Sequence, residues 1–276
     1  MSQQPIIVLS ESEASNCDRD RKTIAFEIDI LGKPVRICFG INKKQTKLAD
    51  IVPPAQVVCE KIIDVVVKEI RKQGENIPCR KGCCTCCRYF VPLSVPEAFW
   101  LRGKIFAMPA AQQEIILKLC LSAAVRIIGK KPPKSIAALT SSDVEPDMEK
   151  VESWYRSLNL DCPFLYKKVC LIYKQRPLVC REYFIVGSGR ACKGKRGKAN
   201  VAKLPVRISR VLSRLASKLE GVEEQAVAVP LALSWCEDNL ERSKRVWPTT
   251  LMLGHFVEIT KEMASTSMSG APTIEY

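Results

Sequence analysis

Five cysteines fall between positions 79 and 87, in the run PCRKGCCTCC, and four more follow at Cys162, Cys170, Cys180 and Cys192. The first group spaces Cys79, Cys83, Cys86 and Cys87 as C-x3-C-x2-C-C, with Cys84 as an additional thiol. Thiolates at such spacing suit a soft metal ion or an iron–sulfur cluster, because a short stretch of chain can bring several sulfurs to one centre. If residues 79–87 form a helical turn or two, these four cysteines share about a quarter of the circumference at roughly 100° per residue. The second group has seven, nine and eleven residues between successive cysteines. Those gaps differ from the paired knuckles of a zinc ribbon and read as single ligands reached from separate turns. The competing account is a set of buried, inert thiols or a disulfide framework.

Composition narrows the choice. A chain of 276 residues can bury a large core without help from cross-links, and 14 cysteines are too thinly spread for a small secreted disulfide scaffold. The N-terminal stretch has no basic region followed by a long apolar one, so a secretory signal is not expected. With no run of 18 apolar residues, neither is a spanning helix. The expected location is the cytoplasm, where clustered cysteines more often bind metal than pair. The sole histidine, His255, lies in the apolar stretch LMLGHFVEI and is expected to be a satisfied core residue. That removes most of the case for a catalytic zinc with histidine ligands or a Ser–His–Asp triad. Sulfur-only coordination is left.

The ordered set of elements is more specific than any one spacing. After Cys79, Cys83, Cys86 and Cys87 come Cys162-Pro163-Phe164-Leu165, then Cys170, Tyr173, Arg176, Pro177, Cys180 and Arg181, and a closing Cys192. Over residues 79–192 this resembles the YkgJ-type CxxCxxCC family of zinc- or iron-chelating proteins, which also includes flagellin lysine N-methylases. The resemblance implies a metal centre of eight ligands: Cys79, Cys83, Cys86, Cys87, Cys162, Cys170, Cys180 and Cys192. The cofactor it implies is zinc or iron, the latter also as an iron–sulfur cluster. Eight sulfurs could form two tetrahedral sites, one cluster with spare thiols, or a bridged dinuclear centre. The alternative activity it implies is S-adenosylmethionine-dependent protein lysine N-methylation. Cys84 stands where the family often has glycine, which leaves open which sulfurs ligate. Four thiolates on one divalent ion carry excess negative charge, and Arg80, Lys81, Arg88, Arg176 and Arg181 are placed to offset it, with Tyr173 beside them. The spacing of Cys79, Cys83 and Cys86 also matches the radical S-adenosylmethionine pattern, but no barrel repeat accompanies it.

The elements that must position these residues are mostly helical. Ile24, Phe26, Ile28 and Ile30 alternate, Gly32 and Pro34 turn the chain, and Val35, Ile37, Phe39 and Ile41 alternate again, which predicts a β-hairpin. From Pro53-Pro54 to about Gln73, Val58, Ile62, Val65, Val66 and Ile70 recur at helical steps, and Gly74 closes the helix. Ser94-Val95-Pro96-Glu97 is a capping box opening a helix to about Phe106. Further helices are expected over Ala110–Ile128 and Met148–Leu158, around a loop at 130–146. Residues 187–200 cannot hold a regular element, and from Pro205 the pattern is helical, broken at Pro230 and Pro248. The fold class is therefore mainly α, with a small N-terminal β-hairpin and an irregular cysteine-rich metal-binding centre. Its parts are a tail (1–20), hairpin and helix (21–75), cysteine-cluster domain (76–200), C-terminal helices (201–264) and a tail (265–276).

The net charge of +14 is uneven: ten Lys/Arg and no acid lie between Arg190 and Lys218. In that stretch Ile208, Val211, Leu212, Leu215 and Leu219 form an apolar helix face flanked by Arg207, Arg210, Arg214 and Lys218. This is either a packed helix with a solvated basic edge or a surface for an anionic partner such as nucleic acid. The absence of aromatics from 187–218 argues against single-strand stacking.

Overall fold

The computed structural model describes residues 4–10, 22–130, 148–189, 192 and 199–268. The expected loop at 130–146 and most of the basic run at 190–198 lie outside those residues. The chain is mainly helical with a small N-terminal antiparallel sheet.

Strands β1 (Ile6–Val8), β2 (Thr23–Ile30) and β3 (Lys33–Ile41) form that sheet in the order β1-β3-β2. Alternation places Phe26, Ile28, Ile30, Val35, Ile37 and Phe39 in the core. The turn is Leu31-Gly32, both at positive φ (56° and 75°), the geometry that matches strand twist in a two-residue hairpin. The amide of Gly32 donates to Asp29 Oδ1 at 2.8 Å. Pro34 thus sits inside β3 rather than in the turn. It faces Asp29, one step beyond the Ile30–Lys33 pair that closes the turn, so its nitrogen lies on the strand's outer side. Strand β1 covers only Phe39–Ile41, leaving that side open at Pro34. The third strand corrects the expectation of a tail over 1–20. Ile6–Val8 pair with β3, and Ile6 and Leu9 are buried. The run Ile6-Ile7-Val8-Leu9 is apolar throughout, with no alternation to read as a strand.

Helix α1 (Val52–Lys72) carries Pro53 and Pro54 in its first turn and ends before Gly74 at φ 78°. It buries Val58, Ile62 and Val66 beneath the sheet, while Val65 and Ile70 are half-buried. Beyond it come α2 (Val95–Phe106), α3 (Ala110–Ile128), α4 (Met148–Ser157), α5 (Leu178–Glu182) and α6 (Ile208–Glu220). The C-terminal helices are α7 (Ala232–Asp238), α8 (Leu240–Lys244) and α9 (Thr249–Met268). Short strand pairs stitch distant segments: β4 (Gln45–Thr46) to β9 (Trp247–Pro248), and β5 (Pro92–Ser94) to β8 (Ala226–Ala228). A small hairpin joins β6 (Leu165–Tyr166) to β7 (Val169–Cys170). Strand β8 falls just before the break expected at Pro230 and β9 includes Pro248, the other expected break, while α9 extends through residues 265–268, expected as tail.

The sheet and α9 share one core: Phe39 stacks on Phe26 (5.8 Å) and meets Phe256 edge-on (5.9 Å). Helix α6 buries Ile208, Val211, Leu212 and Leu215, as its periodicity predicts. On its basic flank, Lys218 pairs with Glu258 (2.7 Å) and Arg214 lies near Glu224 and Glu262 (3.4 and 3.5 Å). Part of the basic edge is therefore matched by acids of this chain. Glu220, with its side chain fully covered, takes a bidentate bond from Arg242 (2.7 and 2.6 Å), tying α6 to α8. His255 is not a core residue. It lies part-exposed on α9, with Nδ1 3.3 Å from Glu258 Oε2. Among the described residues, no helix is long and apolar enough to cross a membrane.

Candidate metal centre

Residues 79–87 are not helical; they form a succession of tight turns. The amide of Cys83 donates to the Arg80 carbonyl (3.0 Å), that of Cys87 to Cys84 (3.1 Å) and that of Tyr89 to Cys86 (3.0 Å). Gly82, at φ 89°, supplies a backbone conformation that a side chain would strain, and so breaks any helix here. The quarter-circle arrangement expected of a helix is replaced by a graded one. Cys79 and Cys83 are exposed, whereas Cys84, Cys86 and Cys87 are part-buried.

The second group packs directly onto the first through backbone bonds. The Cys162 amide donates to the Cys87 carbonyl at 2.6 Å, and the Ile185 amide to Cys79 Sγ at 3.5 Å. The Gly187 amide reaches the Asn76 carbonyl at 2.7 Å. Cys162 and Cys170 flank the β6–β7 hairpin, where Leu165 opposes Cys170. Its turn is Lys167-Lys168, both at positive φ (47° and 64°), a conformation costly for lysine. Without glycine or asparagine there, the sequence gives no hairpin signal.

Cys180 rides on α5, and two buried carboxylates hold that short helix. Glu97 accepts from the Ser94 amide (3.2 Å) and hydroxyl (2.8 Å) through Oε2, completing the expected capping box. Its other oxygen accepts from the Leu178 amide at 2.7 Å, so one side chain caps both α2 and α5. At the far end of α5, Glu182 accepts from the amide (3.0 Å) and hydroxyl of Ser209, in the first turn of α6. A carboxylate suits a helix N-terminus because unpaired amides and the helix dipole both favour negative charge there. Sequence reading gave Glu97 only its local role and Glu182 none, since both bonds span distant segments.

Electrostatic influence passes between the two cysteine groups. Negative charge on Cys86 raises the thiols of Cys79, Cys87, Cys162, Cys170, Cys180 and Cys192. Cys83 acts likewise on Cys79 and Cys192, and Cys162 on Cys87 and Cys180. The set thus has an outer part (Cys79, Cys83, Cys192) and an inner part (Cys87, Cys162, Cys170, Cys180), with Cys86 between them. A hydrogen bond with its neighbour Cys87 lowers the Cys86 thiol to about 7, helped by Arg176, and the same bond holds Cys87 well up. Burial raises Cys79, Cys170, Cys180 and Cys192, and pushes Cys162 up to about 12. Cys84 acts on none of these thiols.

The arginines divide. Arg176 lowers Cys79, Cys86 and Cys170 and stacks on the Tyr173 ring (4.6 Å), which Lys81 approaches from the first cysteine group (5.8 Å). Arg181 does not serve the ligand cysteines. It donates to the carbonyls of Arg176 (3.1 Å) and Lys174 (2.6 Å) and pairs with Glu60 (2.5 Å). It therefore shapes the loop that presents Arg176. Arg88 is turned outward to Asp161 at 2.8 Å.

Among the described residues, no three Cys, His, Asp or Glu side chains stand close enough together to hold a metal ion as they are. The donor set itself, all sulfur with a cationic neighbour, fits zinc or iron, and it is carried by the turns at 79–87, the β6–β7 hairpin and α5. Comparison of the chain with protein-family models, with curated proteins and with solved structures finds no match, so the site rests on its own chemistry.

Proposed function

We propose that the protein binds zinc or iron, the latter as an ion or an iron–sulfur cluster, through cysteine sulfur alone. Cys79, Cys83, Cys86, Cys87, Cys162, Cys170, Cys180 and Cys192 are its ligands. The observation that carries this reading is that the fold packs the two cysteine groups against each other, the Cys162 amide donating to the Cys87 carbonyl at 2.6 Å and the Ile185 amide to Cys79 Sγ at 3.5 Å. Neutral, buried thiols have no need of such a gathering, whereas thiolates repel one another unless a cation joins them. The thiols give up their protons as the metal binds. Arg176 offsets the remaining negative charge.

Joining residues 79–87 to residues 162–192 by metal staples two halves of the chain. Structural zinc contributes on the order of 10–16 kcal/mol in small sites, as much as the whole stability of a typical domain. The test is differential alkylation of the reduced protein, read by mass spectrometry before and after zinc or ferrous iron is added. The eight cysteines become protected by metal, while Cys84 still reacts. Equal labelling of exposed Cys79 and Cys83 with and without metal would sink the proposal.

A further inference from the structure

Alongside the cysteine cluster, α1 and the Tyr173–Arg181 segment line an open cleft of about 380 Å³. Gln56 and Glu60 line it from α1, and Tyr173, Lys174, Arg176 and Arg181 from the other wall. Two side-chain nitrogens of this lining, Gln56 Nε2 and Arg176 Nε, are buried yet have no hydrogen-bond acceptor among the described residues. They are the two such atoms in the described structure, and both belong to this one pocket. A buried unpaired donor costs on the order of 1–3 kcal/mol, and more when it is charged, so the chain is arranged for an acceptor it does not itself supply.

Charge identifies the kind of acceptor. The single acid in the lining, Glu60, is matched by Arg181, whose remaining donors go to the carbonyls of Lys174 and Arg176. Arg176 and Lys174 are left without a carboxylate partner among the described residues. A guanidinium, an ammonium and an amide N–H group converging on one cavity match a group with several oxygens and negative charge. Pockets of this size accept small molecules rather than a bare ion.

We infer that this pocket binds the oxyanion end of a small molecule, a phosphate or a carboxylate, through Gln56, Lys174 and Arg176. Arg181 positions the loop that carries two of them. Arg176 also lies near the cysteine cluster, so the inference is tested through Gln56 and Lys174, to which the proposed metal centre gives no role.

Isothermal titration of the full chain with inorganic phosphate and, separately, with succinate tests it and distinguishes the two oxyanion classes. At least one binds in the millimolar range or tighter. Binding weakens about tenfold or more in Lys174→Ala, an exposed position with no structural role to lose. Gln56→Leu abolishes the bond to the amide and leaves the ligand-free protein as stable as the parent or more so, because an unpaired buried donor is removed. Failure of both anions to bind the parent protein overturns the inference, as does binding that neither substitution changes.

Discussion

At the scale of single residues, the cysteines are not equivalent. Cys86 is central by position and by its thiol, which a hydrogen bond with Cys87 lowers to about 7. Cys180 is part-buried on a helix held at both ends, and Cys83 is exposed on a turn. Cys83→Ser and Cys180→Ser are each expected to lower metal content and melting temperature together, and Cys84→Ser to leave both unchanged. Metal analysis and thermal unfolding of the three variants check this. Equal metal content in all three would remove Cys83 and Cys180 from the ligand set. The cysteines and Arg176 stood out in the sequence because their types and order are unusual. The different part played by Arg181 did not, since an arginine beside a cysteine in sequence carries no sign of which carbonyl it will cap.

At the scale of elements, the five-residue helix α5 has too few internal hydrogen bonds to stand alone. Glu97 and Glu182 supply what it lacks, and through them α2 and α6 set the position of Cys180. Glu97→Ala leaves the amides of Leu178 and Ser94 unpaired and is expected to cost about 2–4 kcal/mol. Hydrogen exchange at Leu178 should quicken by more than at Ile62 in α1, whereas uniform quickening would contradict a local role. Burial lifts the Glu97 carboxyl to about 7 from its ordinary 4.5. A carboxyl raised on folding stabilises fully below the unfolded value, and that contribution is lost as pH rises through the folded one. The stability of the parent relative to Glu97→Gln should therefore fall between pH 5 and pH 8, by up to roughly 3 kcal/mol. Urea unfolding of both at the two pH values checks the sign. The bounds of α1, α2, α3 and α4 were legible, because apolar residues repeat along them at the right step or caps mark their ends, whereas the short α5, α7 and α8 carry too few turns to give a pattern. The turns at 79–87 and the Lys167-Lys168 hairpin were not legible either, because tertiary bonds to Cys87 and Phe164 fix them.

At the scale of the molecule, the sheet, α1, α2, α6 and α9 bury one continuous core, with the cysteine-bearing turns at its margin. Phe39 links the first strands to the last helix, so Phe39→Ala should cost about 3–5 kcal/mol and unfold both ends together. A calorimetric trace with two separate transitions would deny that shared core. The most direct measurement is elemental analysis of the full chain purified without oxygen. The account predicts zinc or iron in stoichiometric amount, lost on treatment with a thiol-reactive agent as the eight cysteines are modified. Protein that carries neither metal and takes up neither when offered, with its thiols reduced and its fold intact, would contradict it.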